Sequence, residues 1–229
     1  MTSGAGERAE AVRADAAPAY HREPTWPAAL AVVVALVLQL ALPEKLVYGP
    51  RWLIPVLEAV LLLPLLVGSR YRHHRESALA RLLSLTLTAV ISLANLYSLI
   101  QLAYYLIHGG KAAGQELIVS SILIWLTNVI IFGLWYWEID RGGPGARTRE
   151  VLQPPEFLYP QMINPDVTVK GWRPAFLDYM YVSLTNATAF SPTDTMPLSQ
   201  RVKSLMGIQA LASLITVALV AARAVNILS

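Results

Sequence analysis

The sequence predicts an all-α membrane protein, a helical bundle of about five transmembrane helices plus one short re-entrant or half-length helix near the C-terminus. Of the 229 residues, 55% are hydrophobic and 14% are charged, and the mean hydropathy is +0.48. Soluble domains carry about 25% charged residues. Here the charges lie between long apolar runs, which is typical of an integral membrane protein. A single transmembrane domain, residues 26–229, accounts for the length.

The segment before the first apolar run, residues 1–25, is rich in Ala, Gly and charged side chains. It has no apolar periodicity, which predicts a disordered tail. The tail is too long and too polar to begin a signal peptide, and no small-residue cleavage motif follows the first apolar run. We therefore expect the first helix to remain uncleaved.

Five apolar segments are predicted to cross the membrane, and proline and glycine mark several of their ends. Pro27 lies in the first turn of the first segment, where proline is tolerated, and Pro43 follows its end. Gly109 and Gly110 end the third segment, which exceeds a ~30 Å hydrocarbon core and must tilt or protrude. The aromatic residues 135–137 close the fourth at a membrane–water interface. The predicted spans are 26–42, 52–67, 77–108, 115–137 and 199–228.

The distribution of basic residues predicts the orientation of the spans in the cell membrane. Lys and Arg are concentrated in the tail and in the segments after the second and fourth helices. The other connections carry only Lys45, Arg51 and Lys111. Because basic residues accumulate on the cytoplasmic side, the N-terminus and the segment 138–173 should be cytoplasmic. That segment is rich in Pro and Gly, which predicts an irregular but packed loop.

Polar residues recur at helical spacing in three of the predicted spans, so each of these helices has one polar face. Polar groups in hydrocarbon must face protein or water, so the three faces should pack together. They act either as interhelical hydrogen-bonding contacts or as a hydrated path. The faces comprise Arg81, Ser84, Thr88, Asn95, Ser98 and Tyr105; Ser121, Trp125, Asn128 and Trp135; and Gln209, Ser213, Thr216 and Arg223.

Glu58 is the only acidic residue deep in a predicted span ahead of the C-terminal segment. A carboxylate within the membrane is a candidate functional group that carries protons or binds a cation. Alternatively, it is neutral or paired with one of the polar faces. His73 and His74 are adjacent and point in different directions on a helix, with no third ligand at a suitable spacing. They therefore indicate a basic juxtamembrane loop near anionic lipid rather than a metal site.

The sequence provides no motif of an enzyme. It has no nucleophile elbow, no phosphate-binding glycine loop and no zinc-protease motif, so we expect neither catalysis nor a cofactor. The chain has no cysteine, which excludes disulfides and thiolate metal sites. Its net charge of +3 belongs to the loops and indicates topology rather than nucleic-acid binding.

The segment 174–190 is too short and too polar for an ordinary span, which needs about 20 apolar residues. A Ser-, Thr- and Pro-containing turn follows it, and Asn186 and Asp194 add polar groups. The segment is either re-entrant and buried or a short span that ends in a polar turn. One helical face, at steps of 3, 4 and 3, provides candidate pore or packing residues: Asp178, Tyr181, Thr185 and Thr188.

The runs DYMYVSLTNATAFSPTDT, SQRVKSLMGIQ and AVNIL resemble a family of uncharacterised bacterial integral membrane proteins. In that family a D-Y-x-Y-x-S-like stretch leads through a Ser/Thr/Asp turn into a last helix. The resemblance covers roughly the last fifty residues well, and the earlier helices in outline. It implies a helical membrane protein with this C-terminal arrangement.

The same segment is similar in layout to an ion-channel pore domain: a short helix, a Thr-rich strand, Asp, Pro and an inner helix. Thr188, Asp194 and Pro197 follow that order. The run 188–193 contains no glycine, whereas a potassium filter presents carbonyls from a T-V-G-Y-G sequence. The predicted topology also brings the segment in from the cytoplasmic side. The resemblance therefore implies a pore-like arrangement without selective potassium conduction.

Two main hypotheses follow from these patterns, with an intramembrane enzyme as a more distant third. In the first, the chain is an ion-channel-like or transport-related protein in which the candidate residues line or shape a polar feature. The expected partners are then the lipid bilayer, further copies of the chain in a homo-oligomer, and a monovalent cation or proton. In the second, the chain is a non-transporting membrane scaffold or partner subunit that docks through the 138–173 loop.

Overall fold

The computed structural model describes residues 23–71, 78–108, 114–147, 153–164, 166, 168–169, 171–189 and 194–228. Residues 1–22 of the predicted tail, His73, His74 and the turn residues 191–193 lie outside this part of the chain. Within it the fold is almost entirely α-helical, which confirms the helical class in its coarse form. Among the described residues, three segments are long and apolar enough to cross a membrane: Ala78–Ile107, Gln115–Gly142 and Gln200–Ala222.

Six helices form the bundle. They are α1 (Trp26–Leu40), α2 (Leu53–Tyr71), α3 (Ala78–Ile107), α4 (Gly114–Ile139), α7 (Phe176–Ala189) and α8 (Gln200–Leu228). Two one-turn helices, α5 (Pro144–Arg147) and α6 (Pro160–Ile163), lie between α4 and α7. The segment 138–173, predicted to be irregular, thus contains local structure.

Successive long helices run in opposite directions, so their ends gather at two ends of the bundle. At one, Glu23 ahead of α1 pairs with Arg147 beyond α4, with 2.8 Å between Oε2 and Nη2. We call this the Asp140 end. At the other, Lys45 after α1 pairs with Glu116 in the first turn of α4 at 2.7 Å. We call this the Lys45 end.

The chain turns sharply where α4 finishes at the Asp140 end. Arg141, Gly142 and Gly143 all have positive φ, at 52°, 80° and 94°. Glycine adopts this region at no steric cost, whereas a side chain at such a φ is uncommon. A Cβ on Gly143 would also lie 3.0 Å from the Glu138 carbonyl oxygen. The two glycines therefore allow the chain to fold back against the end of α4.

A short β-ladder ties the segment after α5 to the segment before α8. Strand β1 (Phe157–Leu158) pairs antiparallel with β2 (Met196–Pro197), with Phe157 opposite Pro197. The Leu198 amide donates a 2.8 Å hydrogen bond to the Glu156 carbonyl. Since Glu156 is bonded to Asp140, the beginning of α8 lies at the Asp140 end.

Two hydrophobic clusters fill the bundle. The larger joins α1, α4 and α7 to Phe157 and includes the fully buried rings of Tyr136 and Tyr179. Phe157 packs edge-on against both tyrosine rings, with centroids 5.2 and 6.1 Å away. The smaller cluster, around Leu42, Leu46 and Leu102, closes the Lys45 end. α7 is therefore part of the main core.

Candidate functional site

The beginning of α7 is fixed to the end of α4 through Asp140, whose side chain is fully buried. The Tyr179 hydroxyl donates a 2.6 Å hydrogen bond to Asp140 Oδ2. The Glu156 amide donates a 2.7 Å hydrogen bond to Oδ1 of the same carboxylate. One carboxylate thus joins α4, the β1 segment and α7.

Arg147 forms the second part of this junction and is buried despite its charge. Its Nη1 donates to the carbonyls of Trp137 and Asp140 at 2.7 and 2.9 Å. Its guanidinium lies 5.7 Å from the Trp137 ring centroid and 5.3 Å from that of Tyr179, within cation–π range. Glu23 neutralises the charge through Nε, at 3.0 Å, and Nη2. A buried charge with these partners is stable, whereas removal of one partner is costly.

Deeper in the bundle, Gln209 of α8 connects three helices through one amide. Its Oε1 accepts hydrogen bonds from the Tyr136 hydroxyl at 2.6 Å and from Asn186 Nδ2 at 2.8 Å. Its Nε2 donates to the Ser183 carbonyl and hydroxyl at 2.9 and 2.7 Å. Ser183 in turn donates to the Val129 carbonyl of α4 at 2.6 Å. This network acts as interhelical hydrogen-bonding contacts.

The contacts of α7 define its path. Tyr179 contacts Asp140 at the end of α4, whereas Ser183 contacts Val129, ten positions before the end of that helix at Ile139. α7 therefore leads from the Asp140 end into the interior of the bundle. With 14 residues it is about 21 Å long, shorter than a ~30 Å hydrocarbon core. The chain is back at the Asp140 end at Met196 and Pro197.

Asp178, a candidate pore residue, caps its own helix. It occupies the first turn of α7, and its Oδ2 accepts a 2.7 Å hydrogen bond from the Ala175 amide. An acidic side chain that reaches back to the N-cap amide forms one half of a capping box. Burial raises the pKa of Asp178, and the bond from Ala175 acts in the opposite direction. Asp178 therefore has a structural role at the N-terminus of α7.

The other predicted members of that face point away from the bundle. Tyr181 is 50% exposed, Thr188 is exposed, and Thr185 is partly so. The Thr185 hydroxyl donates to the Tyr181 carbonyl at 2.9 Å, and Thr188 donates to that of Leu184 at 2.9 Å. Hydroxyls bonded to their own helix in this way need no further partner. Within one chain these residues form an external surface.

Asn186 and Asp194 lie apart from that surface and from each other. Asn186 is buried on the opposite side of α7, where Nδ2 also donates to the Met206 carbonyl at 2.9 Å. Asp194 is exposed ahead of β2. The seven predicted site residues therefore do not converge within a single chain.

Glu58 is separate from α7 and lies in the interior between α1, α2 and α3. Its side chain is 0% exposed, and neither carboxyl oxygen has a hydrogen-bond partner among the described residues. The Gln39 amide of α1 is close enough to be its side-chain hydrogen-bond partner, although Gln39 Nε2 lies outside ideal hydrogen-bond geometry. Glu58 is thus neither ion-paired nor bonded to a polar face.

Several residues of the junction were not singled out from the sequence. Asp140 and Arg147 lie in a Pro- and Gly-rich segment that was predicted to be an irregular but packed loop, with Arg141 and Arg147 assigned only to topology. Tyr136 was expected at an interface, yet its ring is fully buried. Gln209, in contrast, belongs to a recognised polar face, and Asn128 of the facing helix donates to its neighbour Ser213 at 3.1 Å.

The described residues contain no group of three or more His, Asp or Glu side chains that could hold a metal ion. Comparison with known proteins gives no match to a family model, a curated protein or a solved structure. In the part of the chain that the structure describes, the fold is helical, with three membrane-length apolar helices, two shorter apolar helices and a packed half-length helix.

Proposed function

We propose that this chain is a multi-pass protein of the cell membrane with five spanning helices and a re-entrant hairpin built on α7. We further propose that several copies assemble into an ion-channel-like or transport-related complex. The observation that carries the proposal is the path of α7, a 14-residue helix whose preceding and following segments lie at the same end of the bundle.

The alternating direction of α1, α2, α3, α4 and α8 supports five spans. α1 and α2 are the shorter apolar helices, and they pack against the membrane-length helices α3 and α4. The Asp140 end carries Arg141, Arg147 and Arg173, together with Arg201 and Lys203. Since basic residues favour the cytoplasmic side, we assign the Asp140 end and the N-terminus to the cytoplasm.

An irregular backbone at membrane depth persists only where protein or water satisfies it. The buried network of Gln209, Ser183 and Asn186 would stabilise a helix that enters the membrane and leaves on the same side. The uncovered face of α7, which includes Tyr181 and Thr188, is then available to an adjacent copy or to a water-filled path.

α8 supports the assembly of several copies. Its buried stripe is narrow and carries Val202, Met206, Gln209, Ser213 and Thr216. The remaining circumference is apolar and exposed, for example at Ile208, Leu211 and Leu214. An inner helix of a multimeric pore has this distribution, with one face on its own chain and the rest against copies or lipid. A purely lipid-facing helix is the alternative.

Cysteine cross-linking tests the assembly, because the chain has no native cysteine. Thr188→Cys should give disulfide-linked dimers in liposomes under mild oxidation, whereas Leu79→Cys on the exposed face of α3 should not. Equal cross-linking of both variants would indicate random collision. A monomeric protein by light scattering, with no cross-link at Thr188, would exclude a multimeric pore.

Flux across proteoliposomes tests transport itself. Monovalent cation or proton flux should be present in the parent protein and should fall in Thr185→Val and Thr188→Val, which replace only a hydroxyl with a methyl group. Thr168→Val, in the connecting segment, provides the matched control. Without flux of any monovalent cation or proton, the channel-like proposal would be wrong.

The second candidate function is a non-transporting scaffold or partner subunit. It is favoured by the exposed apolar side chains of Ile163 and Val169 in the 138–173 segment. A folded, flux-inactive protein that loses a co-purifying membrane protein on Ile163→Asp and Val169→Asp would support it. Retention of that partner in both variants would count against docking through this segment.

A further inference from the structure

A buried polar cluster between α1, α2 and α3 is independent of the α7 hairpin. Glu58 is 0% exposed, and Gln39 and Asn95 are 6% and 5% exposed. Among the described residues, four of their polar atoms lack a hydrogen-bond partner: Gln39 Nε2, Glu58 Oε1, Glu58 Oε2 and Asn95 Oδ1. Buried polar atoms are almost always paired, so this group of buried amide and carboxyl oxygens and nitrogens on three helices is a candidate binding site.

A small pocket lies next to this cluster. It is lined by Gln39 of α1, Ile54 and Pro55 of α2, and Ala94 and Ser98 of α3. α2 and α3 run antiparallel, and Pro55 and Ser98 face the same pocket. Glu58 lies one turn after Pro55, and Asn95 lies one turn before Ser98. The two side chains are therefore at the same level of the bundle. The pocket has room for about one water molecule.

The pocket leads toward the Lys45 end. Its outer lining includes Tyr48 and Arg51, both exposed, and the Arg51 guanidinium donates to the Leu40 carbonyl at 2.8 Å from Nε. A water molecule exchanging through this opening would approach the cluster without crossing the apolar core.

No cation in the described chain neutralises Glu58. α1 contains no charged residue, and the only one in α3 is Arg81, near the opposite end of the bundle. Arg51 is bonded at the mouth of the pocket, and the nearby phenols are Tyr48 and Tyr97, which pack edge-on against each other at 5.4 Å. An ionised carboxylate without a partner in such surroundings is strongly disfavoured, whereas the protonated acid is neutral.

We infer that Glu58, with Gln39 and Asn95, forms a proton-binding site that exchanges with water through the pocket at the Lys45 end. The bound proton makes Glu58 a donor, and Asn95 Oδ1 on the facing helix α3, buried and without a partner among the described residues, is the candidate acceptor. The remaining Glu58 oxygen is an acceptor for the neighbouring Gln39 amide. The site belongs to one chain and does not depend on assembly.

An apolar carbodiimide tests the protonation state. A protonated carboxyl adds across one C=N bond of dicyclohexylcarbodiimide, and the resulting O-acylisourea rearranges to an N-acylurea, so the whole reagent is retained. Intact-mass measurement in detergent should find one adduct on the parent protein and none on Glu58→Gln. Glu44→Gln, which removes an exposed carboxyl at the same end, should retain the adduct.

The pH and salt dependence of this labelling distinguish a proton from a metal cation. For a proton site, the adduct yield should fall as the pH rises and should be the same in saturating sodium, potassium or lithium chloride. Protection by one of these cations at constant pH would overturn the assignment in favour of a cation site. A labelling yield independent of pH, or no adduct on Glu58, would also overturn it.

An infrared measurement keeps the inference testable if Glu58→Gln does not fold. The parent protein at neutral pH should have a carbonyl stretching band of a protonated carboxylic acid, which shifts in deuterated water. The band should disappear on alkaline titration and should be unchanged in Glu44→Gln. Absence of the band at neutral pH would mean that Glu58 is ionised, and the proton site would be excluded.

Discussion

The Tyr179 hydroxyl donates a 2.6 Å hydrogen bond to the Asp140 carboxylate, which joins the first turn of α7 to the turn that ends α4. Both side chains are fully buried. Asp140 also accepts a hydrogen bond from the Glu156 amide, and the Glu156 carbonyl accepts one from the Leu198 amide. The start of α7 is thus bonded directly to the Asp140 carboxylate. The segment that leads into α8 is bonded to the same carboxylate through Glu156.

Tyr179→Phe removes this bond while keeping the ring that packs against Phe157 and Arg147. Asp140 would lose one of its two hydrogen-bond donors, at a cost of about 1–3 kcal/mol in unfolding free energy. We expect a lower Tm for the purified protein in detergent. Tyr181→Phe, on the exposed side of the same helix, should leave Tm unchanged. An equal loss in both variants would argue against a specific role for Tyr179.

Gly133→Ala tests the contact of α7 with α4. A Cβ on Gly133 would overlap the Met180 sulfur and lie 3.4 Å from Met180 Cα. Because the flexible Met180 side chain must move while the contact with its Cα is an ordinary van der Waals distance, we expect a destabilisation of about 1 kcal/mol. Gly207→Ala is the matched control in α8, where an added Cβ meets nothing within 4 Å. That variant should be neutral or slightly stabilised, since Ala favours helix over Gly by about 1 kcal/mol.

The Gly133 prediction is strengthened by its rescue. Met180→Ala in the Gly133→Ala background removes the overlapping side chain, so the double variant should be more stable than the sum of the two single losses predicts. Additive losses in Tm would mean that the contact between Gly133 and Met180 does not limit the packing of α7 against α4.

Asp178→Asn tests the titration of the α7 cap. Burial raises the pKa of Asp178, so the folded chain binds this proton more tightly than the unfolded chain. The unfolding free energy therefore falls as the pH rises through the interval between the ordinary pKa and the raised one. The Asn amide can still accept the hydrogen bond from Ala175, but it does not titrate, so this part of the pH dependence should disappear.

Tm measured across acidic buffers would check the Asp178 prediction. The parent protein and Thr188→Val, which changes no ionisable group on the same helix, should keep the slope. If Asp178→Asn had the same slope as both, Asp178 would make no contribution to the pH dependence of stability.

The long helices could be predicted from the sequence because apolar run length and proline or glycine positions determine where a span begins and ends. The junction could not be predicted. Arg147 lies in a Pro- and Gly-rich segment, and its ionic partner Glu23 is 124 positions away in the sequence. Local composition contains no information about such a pair, so a buried arginine resembled a loop charge.

Helical periodicity also could not predict which face of α7 packs against the rest of the bundle. Spacing correctly places Tyr181, Thr185 and Thr188 on one side of a helix, but it does not determine which side meets the core. Their hydroxyls bond to α7 itself or remain exposed, whereas Ser183 and Asn186 face Gln209. The inward face was therefore decided by which side chains could reach the amide of Gln209 in another helix.

Gln209→Leu tests the role of the Gln209 amide in fixing the inward face of α7. The substitution retains most of the side-chain volume but leaves the buried Tyr136 hydroxyl without its acceptor and removes the bonds to Ser183. We expect a loss of about 2 kcal/mol or more in unfolding free energy, because an orphaned buried donor costs about 1–3 kcal/mol. Gln200→Leu, at the exposed first position of α8, should have little effect on Tm.

Adding Tyr136→Phe removes the orphaned hydroxyl, so the double variant should recover part of the stability lost in Gln209→Leu. A double variant less stable than Gln209→Leu alone would mean that Tyr136 is stabilised by a partner other than Gln209.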